Sequence, residues 1–190
     1  AVRGRLVAYL SEPAHLCNMR MLEVMGVERT RIRLVPHDAQ QRMQHGELER
    51  MLLRDRANGL CPWLVIASAG TTDTGAVDPL EDLARLRDEH DLWLHVDAAY
   101  GGLFLLVPGM KSLLGGIALA NSVVVDPHKA LFLPYGCGAF LLREEGRPSS
   151  VGADAAYLRD ARAEGSASAA DLSIELTRPS RGAAIWAALR

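Results

Sequence analysis

The sequence predicts an α/β fold in which a mixed, mostly parallel sheet lies between helices, and three observations carry that expectation. Short β-rich runs alternate with longer runs of helical periodicity, the pattern of βα units stacked on a parallel sheet. Three of the apolar runs pass directly into small or polar residues, as strands do where ligands gather at the carboxyl edge of an open α/β sheet. The last apolar run follows its predecessor too closely for a parallel return, which needs a crossover of about a dozen residues.

In chain order, strands are expected at Arg5–Leu10, Thr30–Val35, Trp63–Ser68, Leu92–Val96 and Ser122–Val125. Helices are expected between them at Pro13–Met25, Gln44–Arg56, Pro79–Glu89 and Met110–Leu119. The third helix has the clearest punctuation. Asp78 can cap its first turn, Pro79 suits the first helical position, and Leu80, Leu83, Ala84 and Leu86, with Leu92 beyond, face one side. Between Lys129 and the apolar run Cys137–Leu142 stand only Ala130 to Gly136, with Pro134 and Gly136 among them, so that run is expected to return antiparallel. Gly146 to Ala170, rich in Gly, Ser, Ala and charge, reads as an exposed loop of the kind that covers sites.

At 190 residues and a net charge of −2, the chain reads as one soluble domain or one large piece of a domain. Its basic residues are spread through helical stretches, which argues against a nucleic-acid face. No run approaches the ~18 apolar residues of a membrane span, and the start does not read as a secretory signal, so the expected location is cytoplasmic. Cys17, Cys61 and Cys137 lie far apart in no metal-ligand spacing, and no metal is expected.

Lysine is scarce. Lys111 and Lys129 are the only two, against 21 basic residues in all. Arginine stays protonated, whereas a partly desolvated lysine can act as an amine nucleophile and form a Schiff base with an aldehyde. Lys111 reads as a solvated surface residue. Lys129 ends the run Asp126-Pro127-His128-Lys129 and follows Asp97 by 32 residues, and the topology brings Thr72, Asp97, His128 and Lys129 to one sheet edge. These types suit pyridoxal 5'-phosphate: an amine for the aldehyde, a carboxylate to keep the pyridine nitrogen protonated, and small neighbours, Ala98 and Ala99, that let a flat ring approach. Taken alone, Asp97 reads as a helix cap, His15 as a helix-face histidine, His95 as a packed core histidine, and His37, His45 and His90 as surface residues. Gly70-Thr71-Thr72 alone could be a tight turn.

Four segments in order, SEPAHLCNMR, AGTTDTGAVDPL, HVDAAYGG and DPHKALFLPYGCG, together with the ending DLSIELTRPSRGAAIW, resemble the group II pyridoxal-phosphate decarboxylases, the family of aromatic amino acid, glutamate and histidine decarboxylases. The resemblance implies the large domain of the aspartate-aminotransferase fold (fold type I) and decarboxylation of a small-molecule L-amino acid to its amine. It implies that Lys129 forms the Schiff base, Asp97 pairs with the pyridinium, His15 stacks on the ring, His128 helps hold the phosphate, and Thr72 and Ala99 lie near the cofactor. Asp126 stands where some members have asparagine near the phosphate. The resemblance also implies a homodimer when full length, and places the family's phosphate loop and small carboxyl-terminal domain outside these residues. Three departures are notable: Ala130 follows the lysine, Cys17 and Arg20 replace the usual serine and lysine after the histidine, and counting back from Arg178 places Ala169 where members carry a carbanion-protonating tyrosine. Tyr157 aligns with a different family tyrosine. Arg178 and Arg181 could bind a substrate carboxylate or pair with acids. Two alternatives follow: another pyridoxal-phosphate reaction on this scaffold, such as a lyase, transaminase or aldehyde synthase, or a non-catalytic fragment or degenerate paralogue.

Overall fold

A computed structural model describes residues 2–143 and 179–190. The chain divides into two compact units, 1–143 and 144–190. The first holds one six-stranded sheet: β1 (Leu6–Ser11), β2 (Ile32–Val35), β3 (Cys61–Ser68), β4 (Trp93–Asp97), β5 (Ser122–Val125) and β6 (Ala139–Leu142). The spatial order is β2-β1-β3-β4-β5-β6. All neighbours are parallel except β5 and β6, which pair antiparallel from Ser122↔Leu142 to Val125↔Ala139, as the short connection after Lys129 requires.

The helices are α1 (Leu16–Val24), α2 (His45–Ala57), α3 (Leu80–His90) and the single turn α4 (Pro127–Ala130). In α2 the buried residues Leu48, Met51, Leu52 and Asp55 recur at helical spacing, and in α3 Leu80, Leu83, Ala84 and Leu86 do the same. Both helices pack on one face of the sheet, over Val7, Tyr9, Val65, Ala67, Leu94 and Val96. The opposite face buries Ala8, Leu10, Leu64 and Ile66 beneath Leu22 of α1. Leu22 is the one fully buried residue of α1 and contributes about 2 kcal/mol, with Met19 partly buried beside it. Because β4 alternates, Leu94 and Val96 face the α2–α3 side while Trp93, His95 and Asp97 face the side that carries α1. That parity decides where the Asp97 carboxylate lies.

A polar triad, buried at Tyr9 and Asp55 and partly exposed at Arg33, ties α2 to the sheet. Arg33 of β2 donates twice to Asp55, at 3.0 Å from both Nε and Nη2, and the Tyr9 hydroxyl donates to Asp55 at 2.8 Å. Burial alone would raise the Asp55 carboxyl, but the two donors outweigh it and hold it below the ordinary carboxylate range. Burial, then the bond to Asp55, pushes the Tyr9 hydroxyl up.

Four expectations are corrected. Met110–Leu119 is not a helix: Gly116 adopts φ +83, and the segment breaks into 3₁₀ turns at Lys111–Leu114 and Ile117–Leu119. A Cβ on Gly116 would lie 2.7 Å from the Glu81 backbone nitrogen, so this break is what lets the connection seat against α3. Helix α1 begins at Leu16 rather than Pro13, with His15 as its N-cap. The second strand starts at Ile32 because Arg29–Arg31 forms a 3₁₀ turn. Asp78 does not cap α3: its carboxylate is buried and accepts from the backbone nitrogens of Met43 at 2.6 Å and Ser68 at 2.7 Å, and from Ser11 Oγ at 3.4 Å. Asp78 therefore pins the ends of β1 and β3 and the approach to α2 together, and burial raises its carboxyl.

In the second unit, α5 (Arg181–Ala188) is described, with the Arg190 guanidinium 4.9 Å from the centre of the Trp186 ring. The loop 146–170, Tyr157, Ala169 and Arg178 lie outside the described residues. Among the described residues no helix is long and apolar enough to cross a membrane.

Candidate active site

The carboxyl ends of β3, β4 and β5 meet at one edge in near-perfect register, Ser68 beside Asp97 and Asp97 beside Val124. Backbone pairing continues past the strands: Ala69 N donates to Asp97 O at 2.8 Å, Ala98 N to Val124 O at 3.0 Å, and Asp126 N to Ala99 O at 3.1 Å. The turns after β3 and β4 touch backbone to backbone. A Cβ on Gly70, where φ is +96, would lie 2.9 Å from Gly101 Cα, and one on Gly101 would lie 2.2 Å from Ala69 O. Only glycine fits at both positions, and it lets the two turns meet backbone to backbone where the candidate residues emerge.

Asp97 projects from the end of β4. Its Oδ1 accepts from Ala99 N at 3.2 Å, and its Oδ2 accepts from Nδ2 of Asn18 on α1 at 2.8 Å. Lys129, in the turn α4 after β5, has Nζ 3.0 Å from Asp126 Oδ2, with 43% of its side chain exposed. Such an exposed pair is worth about 0–1 kcal/mol, so the amine can leave it readily. His128 Nδ1 lies 2.6 Å from the Cys137 carbonyl oxygen. A carbonyl only accepts, so Nδ1 carries the proton, and Nε2, 3.9 Å from Asp126 Oδ2, can donate to an anion only when the ring is charged. The His128 ring also meets Tyr135 edge-on at 5.1 Å.

His15 caps α1, its Nδ1 accepting from Cys17 N at 3.3 Å, which leaves Nε2 with the proton in the neutral ring. Cys17, in the first turn of α1, is exposed at the surface, and its thiol is raised first by local desolvation and then by the Asp97 charge, while Lys129 acts to lower it. Thr71 is buried and spent on the turn, its hydroxyl 2.8 Å from Thr74 Oγ1 and accepting from Ala76 N at 3.0 Å, whereas Thr72 is exposed at the tip. His95, mostly buried, sits 2.8 Å from Ser122 Oγ and is lowered by burial, the packed histidine that its strand position implies.

Two residues that shape this edge were not among the sequence candidates. Asn18 follows His15 by one helical turn, and that spacing was the available signal. Asp78 was read as a cap, and nothing in the local sequence marks a carboxylate that binds three distant segments. Away from the edge, Glu49, Glu89 and His90 offer ligand atoms within 4.8 Å of one another, but Arg85 already holds Glu89 at 2.9 Å, as in a solvated ion-pair cluster.

The donor set at the edge, an amine, a strand-end carboxylate and a capping imidazole over small residues, fits an aldehyde-bearing aromatic cofactor, and it does so within a mostly parallel sheet flanked by helices. The chain belongs to the pyridoxal-dependent decarboxylase family, whose conserved-domain model matches residues 1–190. It is 36% identical over 183 residues to an aromatic-L-amino-acid decarboxylase of Bacillus atrophaeus, covering 95% of this chain and 38% of that protein. It is 39% identical over 152 residues to an L-2,4-diaminobutyrate decarboxylase of Rhizobium meliloti, covering 80% of this chain and 30% of that protein. The crystal structure of Rhodiola rosea 4-hydroxyphenylacetaldehyde synthase matches with a TM-score of 0.66 and 31% identity, over 68% of this chain and 28% of that one. The chain therefore spans about a third of the length of these relatives.

Proposed function

We propose that the protein to which these residues belong is a pyridoxal-phosphate-dependent carboxy-lyase that converts an L-amino acid to its amine. The observation that carries this reading is that Asp97 ends β4 and Lys129 follows the end of β5, the strand paired beside it, so that both stand at one sheet edge. When bound, pyridoxal phosphate supplies an electron sink for the pair released as the carboxylate leaves. Lys129 would hold the cofactor through its amine and exchange it for the substrate's. Asp97, fixed at both oxygens, would keep the pyridine nitrogen protonated. His15 would cover one face of the ring, Ala99 lets the ring lie close to the backbone, and Thr72 is exposed at the same edge. His128, in its charged form, would donate to the phosphate through Nε2. Asp126, which pairs with Lys129, would as an anion oppose the phosphate. The family resemblance supports a homodimer for the longer chain, with the phosphate loop and the small domain supplied by segments outside these residues.

Borohydride reduction of the full-length protein with bound cofactor, followed by peptide mapping, tests the assignment. The adduct is expected on Lys129 and is expected to vanish in Lys129→Ala; an adduct elsewhere overturns it. A second reading, aldehyde synthesis, rests on the likeness to the Rhodiola enzyme. Product analysis separates the two: decarboxylation yields carbon dioxide and amine in equal amounts, whereas a synthase, consuming dioxygen and water, yields carbon dioxide with aldehyde, ammonia and hydrogen peroxide in place of amine.

A further inference from the structure

We propose that Asn18 is a positioning residue for Asp97, a role that rests on the reading of Asp97 as the partner of a cofactor's pyridine nitrogen. The observation is the 2.8 Å bond from Asn18 Nδ2 to Asp97 Oδ2, partly shielded from solvent and made between segments 79 residues apart. An ionised carboxylate only accepts, so the amide must present its NH₂ group to Asp97. Ala99 N holds the other oxygen at 3.2 Å. Two donors on two oxygens fix the rotation of the carboxylate and leave each oxygen a further lone pair for a third partner.

The same bond joins two parts of the site. Asn18 lies one turn beyond His15 on α1, and α1 is otherwise packed on the sheet through the buried Leu22 and the partly buried Met19. Asn18 therefore sets the distance between the capping His15 and the strand end that bears Asp97. Asparagine is a poor helix former, because its amide competes with the backbone, and it is tolerated inside a helix when the amide has a partner of this kind.

The test uses Asn18→Leu, close in size and without a donor, together with Asp97→Asn and the double variant, all in the full-length protein. Pyridoxal phosphate affinity of Asn18→Leu is expected to fall about tenfold, the scale of one hydrogen bond to a charged group. The pH dependence of the bound cofactor's absorbance is expected to shift with it. In the Asp97→Asn background the leucine substitution is expected to have no further effect, because its influence passes through that carboxylate. Wild-type affinity in Asn18→Leu, or equal losses in both backgrounds, overturns the proposal. A cofactor-free readout stands beside these: in the apoprotein the Asn18 side-chain amide protons are expected to resonate downfield and to move back in Asp97→Asn. An unshifted amide overturns the positioning role even if no cofactor binds. Failure of the wild type to take up cofactor, with the amide shift present, would instead overturn the functional reading and leave the Asn18–Asp97 pairing standing.

Discussion

Substituting Gly101 by alanine should force apart the turns after β3 and β4, whose backbones are in contact. Gly101 has φ −81, an ordinary conformation for alanine, so Gly101→Ala acts only by the volume of its methyl group. That Cβ would lie 2.2 Å from Ala69 O, 2.9 Å from Ala69 C and 3.1 Å from Gly70 Cα. All three are backbone atoms, and no side chain can swing away. Reaching ordinary contact, about 3.4 Å, requires the two strand ends to part by roughly 1 Å. The displaced segment carries the Ala69 N bond to Asp97 O, worth about 1 kcal/mol, and overpacking adds about 1–3 kcal/mol, for a loss near 3 kcal/mol. A shift of about 1 Å at a reacting group can cost on the order of a hundredfold in rate. Thermal denaturation should show a drop of several degrees, and cofactor titration a marked loss of affinity. Gly46→Ala is the control: it lies in the first turn of α2 with nothing within 4 Å of its Cβ, and should stabilise by about 0.5–1 kcal/mol. If Gly101→Ala behaves like Gly46→Ala in both assays, the close backbone contact does not position the site.

Asp126→Asn removes an anion from beside Lys129 and should raise affinity for pyridoxal phosphate about fivefold in an absorbance titration, by freeing the amine and easing repulsion of the phosphate; weaker binding would refute this. Asp55→Asn should cost about 3 kcal/mol in urea unfolding at neutral pH, the low end for a broken buried pair because Arg33 is partly exposed. Because Asp55 is held below its ordinary 3.8, its contribution is present above that value and is lost as pH falls below it, so the difference from Asn should shrink in acid. Asp78 has the opposite sign. Its folded carboxyl is raised above 3.8, so wild-type stability declines as pH rises from that value through the higher folded one. Asp78→Asn leaves a backbone donor facing an NH₂ group, a cost of about 1–3 kcal/mol, and that cost should decrease from acid to neutral pH in the same unfolding assay.

Much of the fold was legible because its periodicities are local. Helices α2 and α3 announce themselves by apolar spacing, and β6 had to return antiparallel because too few residues follow Lys129 for a crossover. The failure at Met110–Leu119 has a local cause read the wrong way: apolar spacing suggested a helix, while Gly116 was needed at positive φ against Glu81. The candidate site was partly legible for the same reason. Lys129 and Asp97 follow strand runs, and strand ends of a parallel sheet share an edge.

The candidate groups at that edge are written in the order of the chain, since residue type and position after a strand are local properties. How they are held is a matter of long-range packing. The Asn18 bond to Asp97 spans 79 residues, the Asp78 bond to Met43 spans 35, and the contact of Gly101 with Ala69 joins two loops. Such pairings depend on the parity of β4 and the register between strands, which place a side chain on one face or the other, and no local pattern states which distant donor will meet it there.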